Sequence, residues 1–324
     1  MNLNTKCGVG AVLKLIVRKA DTNEIVRETP EFHNLVLNTG LERMAVGTWI
    51  DRCCVGTGNS TPVASQVALD NFLASTTTTA PGASDTGGIQ VTTAPYYWFG
   101  RRTWRFAQGA ATGNISEVGL GWGNSNLWNR ALIKDANDNP TTITVLADEY
   151  LDVVSEVRVY PKESTGSFNL VDKVGAVIST HSYVTQPFLY SNGITIGAGW
   201  NAGQVMFGNI ISSGNAYSFI SDLPMPTSVT SAITPKFSRN VSSNTPLPNG
   251  VSVTNIISSS EANFGSHKSF QVQLLGLMCR AASISAPSLN GLGYKWEVDP
   301  PIPKDQETIL TYNFSLTWGN YEPT

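Results

Sequence analysis

The side chains that could do chemistry are few, and their spacing limits what that chemistry could be. Asp148 with Glu149, or Asp51 with Glu117, could supply the paired carboxylates of a glycosidase, one as general acid and the other as base or nucleophile. Acidic residues beside the start of an exposed strand are usually solvated, so neither pair is assigned to polysaccharide cleavage. His33, His181 and His267 are scattered without paired spacing, and Cys7, Cys53, Cys54 and Cys279 show no ligand arrangement, which argues against a zinc site. Cys53 and Cys54 are adjacent, and neighbours in a strand point to opposite faces, so one metal or disulfide site cannot use both. Asp135, Asn137, Asp138 and Asn139 are oxygen-rich in the manner of a calcium loop. The glycine of the sharp turn and the distal bidentate glutamate are missing, however, and Pro140 closes the segment, so a hairpin turn between Ile133 and Ile143 is expected. Gly119-Leu120-Gly121-Trp122-Gly123 would suit a phosphate only if a helix followed to present its N-terminus. No helical pattern follows, and the segment reads as a strand exit that lets Trp122 pack closely. No catalytic, cofactor-binding or metal-binding residue is therefore assigned, no cofactor is expected, and the chain reads as a non-enzyme.

Two binding chemistries remain. Arg101, Arg102 and Arg105 surround Trp104 and could in principle stack on bases. Strand alternation puts Arg101, Thr103 and Arg105 on one face and Arg102, Trp104 and Phe106 on the other, as an edge strand or a subunit contact would. With a net charge of −3 the chain has no nucleic-acid footprint, and no such partner is expected. Trp98, Trp104, Trp122, Trp128 and Trp200 could offer flat faces to a sugar, although burial in a core is the commoner use of tryptophan.

The elements that must position these residues are short strands. Charged residues make up only 14% of the 324, while Gly, Ser, Thr and Asn are abundant, a balance that suits strands and turns better than long surface helices. No run of about 18 apolar residues is present, so no membrane span is expected. The polar start Met1 to Lys6 leads directly into a strand, which implies synthesis and folding in a cytoplasm without a secretory signal, with the cysteines reduced and buried.

Along the chain, residues 8 to 32 read as a hairpin, Asn38 to Ala45 as a short helix capped by Asn38, and Val67 to Leu73 as a possible second helix. Residues 75 to 93 are too polar to bury and read as a loop or arm. Strands follow at 96 to 106, 116 to 122, 127 to 133, 143 to 146 and 150 to 160. The second half offers strands at 174 to 184, 193 to 196, 205 to 211, 269 to 278, 282 to 285, 294 to 298 and 309 to 318, with a long loop at 221 to 263. Val9-Gly10-Ala11-Val12 recurs as Val174-Gly175-Ala176-Val177. The alternating set Leu151, Val153, Ser155, Val157 and Val159 recurs as Leu310, Tyr312, Phe314, Leu316 and Trp318. The expectation is a mainly β chain of two antiparallel β-sandwich domains, residues 1 to 165 and 166 to 324, related by internal duplication.

Phe32-His33-Asn34-Leu35-Val36-Leu37-Asn38-Thr39-Gly40-Leu41 after the hairpin, then Val55-Gly56-Thr57-Gly58-Asn59-Ser60-Thr61-Pro62, resemble the opening of many tailed-bacteriophage structural proteins. Ile115-Ser116-Glu117-Val118-Gly119-Leu120, Leu127-Trp128-Asn129-Arg130-Ala131-Leu132-Ile133 and the strand through Tyr160 are similar to a pattern of phage tail and fibre-associated sandwich domains. In the second half the resemblance survives mainly in Trp296-Glu297-Val298-Asp299-Pro300-Pro301-Ile302-Pro303-Lys304 and the last strand. The resemblance implies a non-enzymatic virion component of the tail, its fibre or its tip, located in the particle. Its implied partners are neighbouring virion proteins and copies of itself, a trimer by analogy with fibres. A host-surface receptor or glycan-binding protein, and a capsid decoration or collar protein, are the alternatives.

Overall fold

Period-two alternation builds the centre of the molecule. The computed structural model describes residues 1–83, 85–190, 216–274 and 291–321. Among these the chain forms 23 strands and one helix of six residues. The opening strand Asn2–Lys19 turns Leu3, Thr5, Cys7, Val9, Ala11, Leu13, Leu15 and Val17 to one buried face. Along one edge runs the long strand Glu149–Lys162, antiparallel, from Lys6 opposite Lys162 to Lys19 opposite Glu149. Along the other runs the last strand Leu310–Asn320, parallel, from Asn2 opposite Asn313 to Val9 opposite Asn320. Beyond Val9 that edge passes to Phe32–His33 and Ile25–Glu28.

This sheet extends through Tyr97–Phe106 to Thr86–Gln90 on one side and through Gly250–Ile257 to Ser243–Leu247 on the other, nine strands in all. A six-stranded sheet from the first half runs Leu35–Val36, Asn129–Leu132, Glu117–Gly123, Arg52–Gly56, Phe72–Thr76, with Asn126–Leu127 beside Glu117–Gly123. A six-stranded sheet from the second half runs Ser164–Val171, Val177–Tyr190, Gly291–Lys304, Gly265–Leu274, Ala216–Ser221, Phe237–Asn240. One contiguous apolar core joins buried residues of all three, among them Leu3 and Trp98, Val118 and Trp128, Phe270 and Trp296.

The mainly β character is as expected, and the alternating sets do face inward: Leu151, Val153, Val157 and Val159, and Leu310, Tyr312, Phe314, Leu316 and Trp318, are all buried. The two strands expected to correspond as duplicates nevertheless lie in one sheet, on opposite sides of Asn2–Lys19, one antiparallel to it and one parallel. They do not hold equivalent places in two sandwiches. Nor does the chain leave sheet structure near residue 165, because Glu163 alone separates Glu149–Lys162 from Ser164–Val171.

Other corrections have local causes. The supposed loop 221–263 carries Phe237–Asn240, Ser243–Leu247 and Gly250–Ile257, because Val251, Val253 and Ile257 alternate inward between polar residues that mask the period. The supposed arm 75–93 supplies the edge strand Thr86–Gln90, so Tyr97–Phe106 is an interior strand and not an edge. No second helix forms at Val67 to Leu73, because the N–H groups of Asp70 and Asn71 are taken by the Glu117 carboxylate instead of by carbonyls four residues back. Asn38 does not cap the first helix: Asn38–Arg43 begins with it, Leu37 sits at the cap position, and the Asn38 N–H donates to the Ala64 carbonyl at 2.8 Å. The expected strands at 193 to 196, 205 to 211 and 282 to 285, with Cys279 and Trp200, lie outside the described residues.

Side chains weld the last strand to the first half. The Trp318 Nε1–H donates to the Leu41 carbonyl at 2.7 Å, and the Asn320 carboxamide both accepts from the Val36 N–H at 2.7 Å and donates to its carbonyl at 2.9 Å. Asn320 thus acts as one residue of a neighbouring strand for Leu35–Val36. Trp318→Ala should lower stability by about 3–5 kcal/mol, the usual cost of emptying a buried tryptophan site. Trp122→Ala, at a half-exposed residue, should cost a fraction of that, and equilibrium urea unfolding compares the two directly.

Candidate functional site

Three segments singled out in the sequence meet at one buried ion pair. Glu117 opens the strand Glu117–Gly123, directly opposite Gly56 on Arg52–Gly56, and Arg130 lies on Asn129–Leu132, the next strand over. Both side chains are fully buried, and the Arg130 Nε–H donates to Glu117 Oε2 at 2.8 Å. The second Glu117 oxygen accepts from the N–H groups of Gly58 and Asn71, each at 2.9 Å, and Oε2 also accepts from Asp70 N–H at 3.1 Å. The other Arg130 nitrogens reach Asp70 Oδ2 at 2.7 Å, Gln66 Oε1 at 2.9 Å and Ser60 Oγ at 3.3 Å. Asp70 is in turn held by Ser60 and Gln66, and the Ser60 hydroxyl keeps its carboxyl below the usual carboxylate range. Both Glu117 oxygens and both terminal Arg130 nitrogens thus bond a segment that has no regular structure of its own, Thr57 to Asn71.

The glycines of the sequence pattern are explained by the same geometry. A Cβ on Gly56 would lie 2.6 Å from Glu117 Oε1 and 2.4 Å from the Asn71 carbonyl, and one on Gly58 would lie 2.5 Å from Glu117 Oε1. Gly119 and Gly121 leave room for the backbone of Asn126 to Asn129, whose carbonyls would meet a Cβ at 2.7 Å and 2.2 Å. A carboxylate saturated by three N–H groups and a guanidinium has no free lone pair for proton transfer, so this arrangement positions a loop and does not catalyse. The loop exposes Val63 and Val67, at 50% and 46%, among polar neighbours, and Phe72 and Leu73 at the start of the following strand are 41% and 38% exposed.

Of the carboxylate pairs considered from sequence, Asp51 and Glu117 are not brought together, whereas Asp148 and Glu149 both reach the Lys19 ammonium, at 3.1 Å and 3.5 Å, and are held by that charge as a structural ion-pair cluster. Asp51 sits beyond Arg52, which pairs with Gly121, four residues along the strand from Glu117 and hence about 14 Å away at the usual strand rise. It forms a surface ion pair with Arg52 at 2.8 Å. Asp148 is exposed and paired to Lys19 at 3.1 Å, which keeps its carboxyl below the ordinary range. Glu149 is buried, ion-paired to Arg27, and accepts from the Leu146 N–H at 2.9 Å. Asp135 accepts from the N–H groups of Asn137 at 2.8 Å and Asn139 at 3.0 Å, closing a hairpin turn with Asp138 at φ 64°, as expected.

All three arginines of the aromatic strand are engaged. Arg102 pairs with buried Asp85 at 2.6 Å, Arg101 with Glu156 at 2.6 Å and Arg105 with Asp152 at 2.7 Å. Trp98, Trp104 and Trp128 are buried in the core, while half-exposed Trp122 lies beneath the Arg43 guanidinium at 5.5 Å. Cys53 belongs to the main core and Cys54 to a small cluster with Leu37, Leu69 and Leu127 on the other face, as adjacent strand residues must. Burial pushes the Cys54 thiol up to about 12. Among the described residues no group of three or more His, Cys, Asp or Glu side chains is placed to hold a metal ion.

His33 is exposed, whereas His181 and His267 are buried and fully paired. His181 donates from Nδ1 to the Pro300 carbonyl at 2.6 Å, and His267 donates from Nε2 to the Ala262 carbonyl at 2.9 Å while Nδ1 accepts from the Tyr312 hydroxyl at 2.6 Å. Burial lowers His267 from its ordinary 6.5 to about 4. Sequence reasoning missed the partners of Arg130, since Ser60, Gln66 and Asp70 lie 60 to 70 positions away and carry no periodic signal.

No protein-family model matches the sequence, and no curated protein or solved structure matches it either.

Breaking the buried pair should be costly, because each partner would leave the other charged and unsatisfied. Arg130→Met and Glu117→Gln should each destabilise by about 3–5 kcal/mol, while the double variant should lose clearly less than the sum, as read from a double-mutant cycle in urea. His267 supplies a pH signature. Its folded pKa lies below the unfolded one, so its contribution is complete above about pH 6.5 and is lost as pH falls towards 4, up to about 3 kcal/mol. Between pH 7.5 and 4.5 the wild type should therefore lose more stability than His267→Gln.

Proposed function

We propose that the chain is a non-enzymatic structural and assembly component of a tailed-phage virion, of the tail or its fibre and tip appendages. It works through interfaces with neighbouring virion proteins and with copies of itself, the trimer being the arrangement that the fibre resemblance implies. The observation that carries the reading is the Glu117–Arg130 pair. Gly56, Gly58, Glu117 and Arg130, residues of the three segments that resemble tail and fibre-associated domains, act together to fix one loop. That use of the pattern is architectural, and it leaves Val63 and Val67 exposed on a fixed loop beside exposed Phe72 and Leu73 of the next strand, which is how an interface core is prepared. The glycan-binding alternative is weakened, because three of its candidate stacking faces, Trp98, Trp104 and Trp128, are buried in the core.

Antibody against the chain should label intact, purified particles in the electron microscope at the tail or its appendages. Labelling of the head or collar would move it to the capsid alternatives, and absence from particles would end the virion reading. Val63→Asp combined with Val67→Asp should leave folding stability within about 0.5 kcal/mol per site, as surface changes do. The same pair should sharply reduce incorporation of the chain into particles, measured by quantitative blotting.

A further inference from the structure

Lys304 ends the strand Gly291–Lys304 and the segment Trp296 to Lys304, the part of the second half that the proposed interfaces leave unexplained. It is 2% exposed, although lysine is among the residues least often buried. Its Nζ donates to the carboxamide oxygen of Asn263 at 2.5 Å and to the Asp305 carbonyl at 2.5 Å. Lys304 is the pairing partner of Gly265 in the adjacent antiparallel strand Gly265–Leu274, so Asn263 stands just before that pairing begins. Left-handed backbone at Ala262, φ 53°, and at Gly265, φ 91°, brackets it. The Asn263 Nδ2–H donates to the Ser259 carbonyl at 2.7 Å, which fixes the carboxamide with its oxygen, not its nitrogen, towards the lysine.

An amine held on a carboxamide oxygen at this distance is close to the carbon it could attack. Since a C=O bond is about 1.23 Å long, Asn263 Cγ lies within about 3.7 Å of Nζ, at the margin of a near-attack arrangement. Burial lowers the Lys304 pKa from its ordinary value, against the opposing charges of Asp305 and Glu261, which eases access to the neutral amine. Glu261, two residues before Asn263, is kept ionised by the Ser258 N–H and hydroxyl and then by the charges of Arg239 and Lys304. Asn263 itself is exposed, so a small leaving group has a way out to solvent.

We propose that Lys304 and Asn263 form an intramolecular isopeptide bond. The Lys304 ammonium gives up a proton to solvent at the exposed Asn263, and the amine lone pair attacks Asn263 Cγ while the C=O electron pair moves to Oδ1. Collapse of the tetrahedral adduct re-forms the carbonyl and breaks the Cγ–Nδ2 bond. Nδ2 takes up the proton shed by the attacking nitrogen and leaves as ammonia, which is protonated by solvent. One amide replaces another and one ammonium leaves, so no oxidant, reductant or cofactor is needed. The bond would join positions 41 residues apart at the end of two hydrogen-bonded strands and close that stretch covalently.

Mass spectrometry of the purified, denatured full-length chain tests this. The expected mass is one ammonia below that of the sequence, with a branched peptide joining Lys304 to Asn263 after proteolysis. Asn263→Ala and Lys304→Arg should each show their full sequence mass, and Asn263→Asp should link with loss of water instead. An intact mass equal to the sequence, with both residues in unmodified linear peptides, overturns the proposal. Loss of ammonia confined to a linear peptide containing Asn263 overturns it too, since that marks a cyclic imide formed with the following backbone nitrogen. The wild-type measurement decides the matter even if a variant fails to fold.

Discussion

An eighteen-residue strand exposes a row of backbone donors and acceptors along each edge, and Asn2–Lys19 runs through the middle of the core, where none can be left unmet. One edge is filled by a single element, Glu149–Lys162. The other is filled piecemeal, by Leu310–Asn320 as far as Val9, then by Phe32–His33 and Ile25–Glu28. Side chains close the joints: the Ala11 N–H donates to Asn34 Oδ1 at 2.5 Å, the Leu15 N–H to Thr29 Oγ1 at 3.0 Å, and the Tyr321 N–H reaches the Val9 carbonyl at 2.9 Å. The last strand is therefore required by the first, and the two ends of the chain are one structural unit. The second-half sheet is tied to the same strand, with the Tyr294 hydroxyl donating to the Lys6 carbonyl at 3.2 Å and the Tyr183 hydroxyl paired with Asn4.

Charge in this chain is scarce and used internally, at two very different levels of consequence. On the outer face of the long strand, Asp152 bridges Arg18 and Arg105, and Glu156 bridges Arg101 and Arg158. Cross-strand pairs of this kind contribute about 0.2–1 kcal/mol each and mainly fix register. The Glu117–Arg130 pair is of another kind, because both ions are out of water and removing either leaves the other uncompensated. Its worth lies less in net stability than in specificity, since it dictates the path of the backbone from Thr57 to Asn71 without any regular secondary structure. Asp85 and Arg102 do the same on a smaller scale at the sheet edge.

The strands that bury one whole face were legible, because Leu310 to Trp318 carry an unbroken apolar period and Leu151 to Val159 one interrupted only by Ser155. So was the division of Cys53 and Cys54 between two apolar clusters, which follows from strand geometry alone. The partner of each strand was not legible, since alternation says which face is buried and nothing about which neighbour lies alongside. Two similar strands were therefore read as equivalents in separate sheets, when one pairs antiparallel and the other parallel with the same strand. Gly250–Ile257 is hidden because the buried Asn255 interrupts the inward apolar set of Val251, Val253 and Ile257; its Nδ2–H donates to the Ser218 hydroxyl at 2.5 Å. Of the candidate site, Glu117 and Arg130 stood in the motifs, but their ion pair did not, because strand pairing brings them together and no local periodicity does.

The position of the apolar side chains left outside gives this architecture its functional sense. Phe72, Leu73, Val63 and Val67 are among the large apolar side chains left exposed, and the proposed interface would use them. Here they project from the segment that the buried pair immobilises and from the adjoining edge strand Phe72–Thr76. Ordering a loop on contact costs conformational entropy, and a loop already fixed by Glu117 and Arg130 avoids that cost when a partner arrives. Under the proposed interface reading, the buried ion pair and the exposed apolar side chains are two parts of one device, the first supplying rigidity and the second supplying the area that rigidity makes useful.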